Sequence, residues 1–465
     1  VKRLTLGLAM GVFLTAGAIA WAGYTWEYTD GKKAEFGLDV RVRYDLYDRD
    51  VNPTWSPAGR EVGPDFQYFR IRERVWGKLD LWEGAKLVLR LGNRWQYYTS
   101  HFLDPNNQHD SSAVAGGGSP TWEAPDEVYI DNLYVEWTSI MDSPWSVTLG
   151  RQDFMLGNGM VLLEGTPFDQ GRSIYFTGAS TTYQTECDTV KMFGFYDDYR
   201  DRTALIHDQK RSLRYGNTTV AGIDWTHRFT KMFNTELYYM WSDIEDDDND
   251  GVAFANDGSL DSRIQFFGGR VFGSPTDLID YGVEFCKQSA RYPLDTDSDP
   301  DPTGSMLDAR LKFKTPDDTA MKPTFGLQVT QFSGDDPKSG GENEGWVGLF
   351  DTYPIYREEF LPARFGALGW TNLTQYRADT CLQVMEKVKA TVAYAYLVAE
   401  YGENSPTSAY NGGGNTMGEL ISLFVDWKAM ESLVLSFEGA TFIPGDYYAG
   451  GQQAEWLRLQ AVWTY

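Results

Sequence analysis

Arg70, Arg72 and Arg74 stand at alternate positions in the segment FRIRERV (69–75). Successive side chains of an extended strand point to opposite faces, so the three guanidinium groups share one face at intervals of about 7 Å. Arg41, Arg43, Lys78, Arg90 and Arg94 repeat the parity in neighbouring segments, and Arg310 and Arg458 join them if the last strand closes on the first. Arginine keeps its charge and grips carboxylates through two parallel hydrogen bonds. A row of this kind reads as a cationic lane for an anionic solute. It reads equally as a structural ladder paired with Asp39, Asp45, Asp80, Glu136 and Glu284, because buried charges must be matched. Both readings stand at this point.

Other chemistries have little to work with. His101, His109, His207 and His227 have no local nucleophile motif, so an enzyme is not expected. The three cysteines form no CxxC pair and no zinc spacing. Residues 246–257, DDDNDGVAFAND, place Asp246, Asp248, Asp250 and Asp257 at positions one, three, five and twelve of a partial calcium loop. That leaves a calcium ion in an external loop as the single candidate cofactor, against the plainer reading of a solvated acidic loop. The net charge of −25 excludes nucleic acid as a partner.

The elements that must position the arginines follow from the alternation. In residues 35–47, Phe36, Leu38, Val40, Val42, Tyr44 and Leu46 oppose Glu35, Asp39, Arg41, Arg43 and Asp45. In residues 68–81, Phe69, Ile71, Val75, Leu79 and Leu81 alternate with arginine, lysine and aspartate, and Glu73 interrupts the apolar face. The segments at 85–95, 307–314 and 421–428 follow the same period of two, which no helix satisfies. Tight connections at 82–84, 141–144, 230–232, 273–275 and 428–431 alternate with long loops at 98–126, 153–172, 243–262, 290–304 and 333–368. Short turns on one side and long loops on the other define a transmembrane antiparallel up-and-down β-barrel of about 18 strands, with periplasmic turns and extracellular loops. Residues 1–22 read as a signal peptide, with a basic start, an apolar stretch and Ala20-Trp21-Ala22 as cleavage site, which leaves 23–465 for the barrel. The closing segment WLRLQAVWTY (456–465) ends on an aromatic residue facing lipid. The expected partners are outer-membrane lipid, the barrel-assembly machinery and the solute. A polar lumen is expected inside, and the loop 333–368, with Trp346, Phe350, Tyr353, Tyr356, Arg357 and Arg364, is expected to fold inward as a constriction, outward as a lid, or against itself.

Several segments resemble the alginate-export family of outer-membrane barrels. They are FRIRERV (69–75), DNLYVEW (131–137), VTLGRQDFMLGNG (147–159), FDQGRSIYF (168–176), FDTYPIY (350–356) and FIPGDYY (442–448). The resemblance implies an 18-stranded barrel and passive export of an anionic polysaccharide through an arginine-lined constriction. By position it carries over to Arg70, Arg72, Arg74 and Arg151. Arg151 has the parity of Trp145, Val147 and Leu149, which points it to lipid unless a bulge near Gly150 intervenes.

Overall fold

The computed structural model describes residues 23–29, 31–48, 66–98, 122–123, 128–163, 176–198, 203–206, 217–245, 262–291, 303–339, 343–348, 371–402, 412–448 and 453–465. The signal-peptide region 1–22, the acidic loop with Asp246, Asp248, Asp250 and Asp257, and residues 349–370 lie outside the described residues.

The strands are β1 (Tyr24–Thr29), β2 (Lys32–Asp48), β3 (Phe66–Trp82), β4 (Ala85–Tyr98), β5 (Trp122–Glu123), β6 (Val128–Trp137), β7 (Trp145–Gln152), β8 (Phe176–Gln184), β9 (Asp188–Asp197), β10 (Ala204–Ile206) and β11 (Asn217–Arg228). They continue with β12 (Asn234–Glu245), β13 (Ser262–Thr276), β14 (Ile279–Arg291), β15 (Ser305–Lys314), β16 (Thr324–Phe332), β17 (Leu373–Met385), β18 (Val388–Val398), β19 (Thr416–Met430), β20 (Leu433–Pro444) and β21 (Ala454–Thr464). Apart from the short β1, β5 and β10, each pairs antiparallel with its two neighbours, and β21 pairs back to β2, so 18 strands close a barrel. The last residue completes the seam: Tyr465 N–H donates to the Leu38 carbonyl at 2.8 Å, and Leu38 N–H to the Tyr465 carbonyl at 3.0 Å. Closure leaves no barrel strand with an unpaired edge, the condition for crossing lipid.

Two-residue turns at Glu83-Gly84, Asp277-Leu278, Glu386-Lys387 and Glu431-Ser432 mark the periplasmic end. The turn expected at 273–275 falls at 277–278 instead, because β13 runs on through an irregularity between Gly273 and Thr276. The outer wall exposes Val75, Leu149, Leu237, Phe285, Leu327, Val392 and Leu459, an apolar band that only lipid would cover. Aromatic pairs ring the rims, including Trp82 with Trp137 at 5.9 Å and Trp145 with Tyr183 at 4.9 Å. Glu73 is exposed on this outer wall.

The inner wall differs from expectation. Its periplasmic half is polar, but near the extracellular strand ends it is lined by Tyr47, Tyr68, Phe176, Phe266, Phe332, Phe442 and Trp456, all buried. These residues form one apolar cluster with Phe154, Leu156, Met160, Leu162 and Trp346 from connections that turn inward. Inward-folded chain supplies the apolar partner that water would deny, so this layer packs as a core.

Candidate functional site

Registers bring the sequence-predicted arginines together. Arg41 on β2 stands opposite Arg72 on β3, which stands opposite Arg94 on β4. Arg43 stands opposite Arg70 one level toward the extracellular end. Adjacent strands are about 4.8 Å apart, and like charges set abreast repel. Carboxylates and polar groups relieve this. Arg72 Nη2 binds Asp39 Oδ1 at 2.8 Å. Arg74 Nε lies 3.2 Å from Asp131 Oδ2, which Arg90 Nε also binds. Arg90 donates through both terminal nitrogens to Asp153, each at 3.1 Å. Across the seam, Arg458 Nε donates to Asp45 Oδ1 at 2.6 Å and Nη1 lies 3.6 Å from Glu438 Oε2. The Trp456 indole N–H donates to the same Asp45 oxygen at 3.1 Å, and the Arg458 guanidinium lies over the Trp456 ring. Arg43 is held by the neutral Gln460, with Nε at 3.1 Å and Nη2 at 2.8 Å from Oε1. Arg70 lies 5.0 Å over the Tyr68 ring.

Six of these arginines, Arg41, Arg43, Arg72, Arg74, Arg90 and Arg458, line a lumenal cavity of about 910 Å³. Lys387, Lys389 and Lys428 line it toward the periplasmic turns, and its carboxylates are Glu386, Asp426 and Glu438. Asp39, Asp45, Asp131 and Asp153 hold arginines from behind, and Glu431 binds Lys428 at 2.6 Å. Among the described residues nine cationic groups therefore meet eight carboxylates, and the cavity keeps an excess of one positive charge.

Four predicted residues are placed elsewhere. Arg310 lines a second cavity of about 350 Å³ with Arg270, Lys312, Asp280, Asp379 and Gln328, and its Nε binds Asp308 at 2.6 Å. Arg70 and Arg94 keep the levels of Arg43 and Arg72 but line neither cavity. Arg151 stands in register with Leu133 and Thr177, two exposed residues of the outer face. Gly150 does carry φ +124°, yet the alternation persists: Gln152 is the buried inward residue and accepts from Ser180 Oγ at 2.7 Å. Of the expected partners, Asp39 and Asp45 serve. Asp80 turns to Lys86 at 3.7 Å, and Glu284 accepts from the Tyr238 hydroxyl at 2.8 Å.

Strand alternation did not signal the element that divides these cavities, which falls in the segment 153–172 expected to be an external loop. After Gln152 the chain turns inward as a small hairpin, with Leu156 and Leu162 bridged (Leu156 N–H to the Leu162 carbonyl, 3.0 Å). Met155 and Leu163 face the larger cavity and Asn158 faces the smaller. The loop 333–368 is represented by Trp346, which packs on Phe266 at 5.7 Å and Phe332 at 6.0 Å. Its residues Phe350, Tyr353, Tyr356, Arg357 and Arg364 lie outside the described residues.

A closed 18-stranded barrel with an apolar outer band and a charged lumen is an outer-membrane channel of the porin type. The alginate export family matches residues 32–461, and the chain belongs to that family. It is a channel and not an enzyme, and its place is the outer membrane. Among solved structures it is similar to Pseudomonas aeruginosa OccK9 (OpdG), at 11% identity and a TM-score of 0.56, covering 93% of this chain and 98% of that one. It is also similar to P. aeruginosa OccK2 (OpdF) in complex with glucuronate, at 10% identity and 0.55, covering 93% and 97%. A third is P. aeruginosa OpdK with vanillate, at 12% identity and 0.52, covering 92% and 98%. At these identities the likeness establishes the fold alone. No curated protein matches the sequence.

Proposed function

We propose that this channel passes a hydrophilic anionic solute, a carboxylate-bearing small molecule or polysaccharide, through the arginine-lined cavity by passive diffusion. The observation that carries the reading is the cationic excess of that cavity, nine basic groups against eight carboxylates among the described residues. A lumen with fixed charge concentrates ions of the opposite sign where water is confined. Two structural neighbours support the class of solute by what they were crystallised with, glucuronate and vanillate, both carboxylates. Family membership supports export of an anionic polysaccharide as one version of the same chemistry.

One observation favours a second reading, a general or cation-preferring porin with structural arginines. Arg72, Arg74, Arg90 and Arg458 are each engaged by a carboxylate, as a ladder serving only stability requires. The sign of the reversal potential in planar bilayers under a potassium chloride gradient separates the two. The proposal expects anion preference, and cation preference removes it.

A further inference from the structure

We infer that residues 153–163 form a latched strap which confines permeation to the basic side of the lumen, and that Glu284 is the latch. The root of the strap is fixed to one wall by the bidentate Arg90–Asp153 pair on β4. Its stem is fixed by Phe154, whose ring packs on Phe193 at 4.6 Å, Phe195 at 5.1 Å and Phe176 at 6.4 Å. Its tip, Gly157-Asn158-Gly159, reaches a different wall. There the Asn158 N–H donates to Glu284 Oε2 at 3.1 Å, and Arg270 Nη1 donates to Asn158 Oδ1. Gly157 has φ +57°, and a Cβ at that position would lie 2.6 Å from Glu284 Oε1, so the tip fits the latch only because it is glycine.

Glu284 is fully buried, and the Tyr238 hydroxyl fixes its other oxygen at 2.8 Å. A buried carboxylate fully engaged by donors is a rigid anchor. The strap it anchors lies between the two cavities, with Met155 and Leu163 on one side and Asn158 on the other. The smaller cavity has mixed charge, with Arg270, Arg310 and Lys312 against Asp280 and Asp379. Glu284 is thus a positioning residue. It acts on selectivity through the strap, by keeping the mixed-charge side apart from the basic side.

The test compares wild type, E284A, E284Q and G157V in planar bilayers, reading single-channel conductance and reversal potential in potassium chloride. Joining the two cavities enlarges the open lumen by about 1.4-fold. E284A and G157V are therefore expected to raise conductance by about that factor or more and to draw the reversal potential toward zero. E284Q keeps an oxygen to accept from the Asn158 N–H and turns its amide N–H to the Tyr238 hydroxyl, which then accepts, so it is expected to stay close to wild type. G157V leaves every barrel strand unaltered, so it decides the matter if E284A fails to fold. Wild-type conductance in variants that migrate as folded barrels overturns the inference. The conductance arm does not depend on the anionic solute, whereas the selectivity arm rests on that proposal. Raised conductance in an otherwise cation-preferring channel upholds the strap and removes the anion reading, so the two fail separately.

Discussion

Replacing Arg41 and Arg43 together by glutamine turns the larger cavity's excess of one positive charge into an excess of one negative charge. A cavity of about 910 Å³ has an equivalent radius of about 6 Å, so one net charge at its lining acts on a central ion with about 0.7 kcal/mol in water. Screening over the 8 Å Debye length of physiological salt leaves about 0.3 kcal/mol. That enriches a monovalent anion about 1.7-fold and depletes a cation by the same factor, giving a permeability ratio of about 3. The double variant R41Q/R43Q is expected to invert this ratio to about 1:3, and R43Q alone to bring it to about 1. In wild type, raising the salt to 1 M shortens the Debye length to about 3 Å and lowers the ratio to about 1.4. Reversal potentials across planar bilayers at two salt concentrations measure all of these. An R41Q/R43Q barrel that stays as anion-selective as wild type would refute the charge accounting. So would a wild-type ratio that does not fall with salt.

Two further predictions concern the framework. R458A leaves Asp45 and Glu438 buried without the guanidinium that joins them across the β2–β21 seam, and is expected to cost about 3–5 kcal/mol. Urea unfolding of the reconstituted barrel, followed by tryptophan fluorescence, would show an unchanged midpoint if the network contributes little. W346A empties the site between Phe266 and Phe332 and is expected to cost about 3–5 kcal/mol while leaving the reversal potential as in wild type. A changed selectivity would place this loop at the conduction path instead.

The barrel was legible because lipid imposes a period of two on every strand. The parity of Phe36 to Leu46 against Asp39, Arg41, Arg43 and Asp45 survives unchanged in the structure. The same parity placed Arg41, Arg43, Arg72, Arg74, Arg90 and Arg458 around one cavity. It named Asp39 and Asp45 as partners, which serve, but not Asp131 or Asp153. Asp131, which binds both Arg74 and Arg90, sits where the β4–β6 register shifts between Arg90 and Leu91, and a bulge breaks the counting rule. Asp153 lies one residue past the end of β7, where alternation has nothing to say. The strap was illegible for the same reason. Its signal was the apolar run from Phe154 to Leu163, unusual in a segment expected from the sequence to be an external loop. The apolar extracellular half of the lumen follows from it, because residues such as Phe193 and Phe195 face inward to meet Phe154 and not a solvated channel.

The central claim is that a carboxylate-bearing solute moves through the basic cavity. The most direct measurement is a bi-ionic reversal potential across a single inserted barrel, with potassium chloride on one side and the potassium salt of a uronic acid on the other. The account predicts a measurable uronate permeability that falls sharply in R41Q/R43Q. Current carried by potassium alone, with no uronate permeability in wild type, would contradict it.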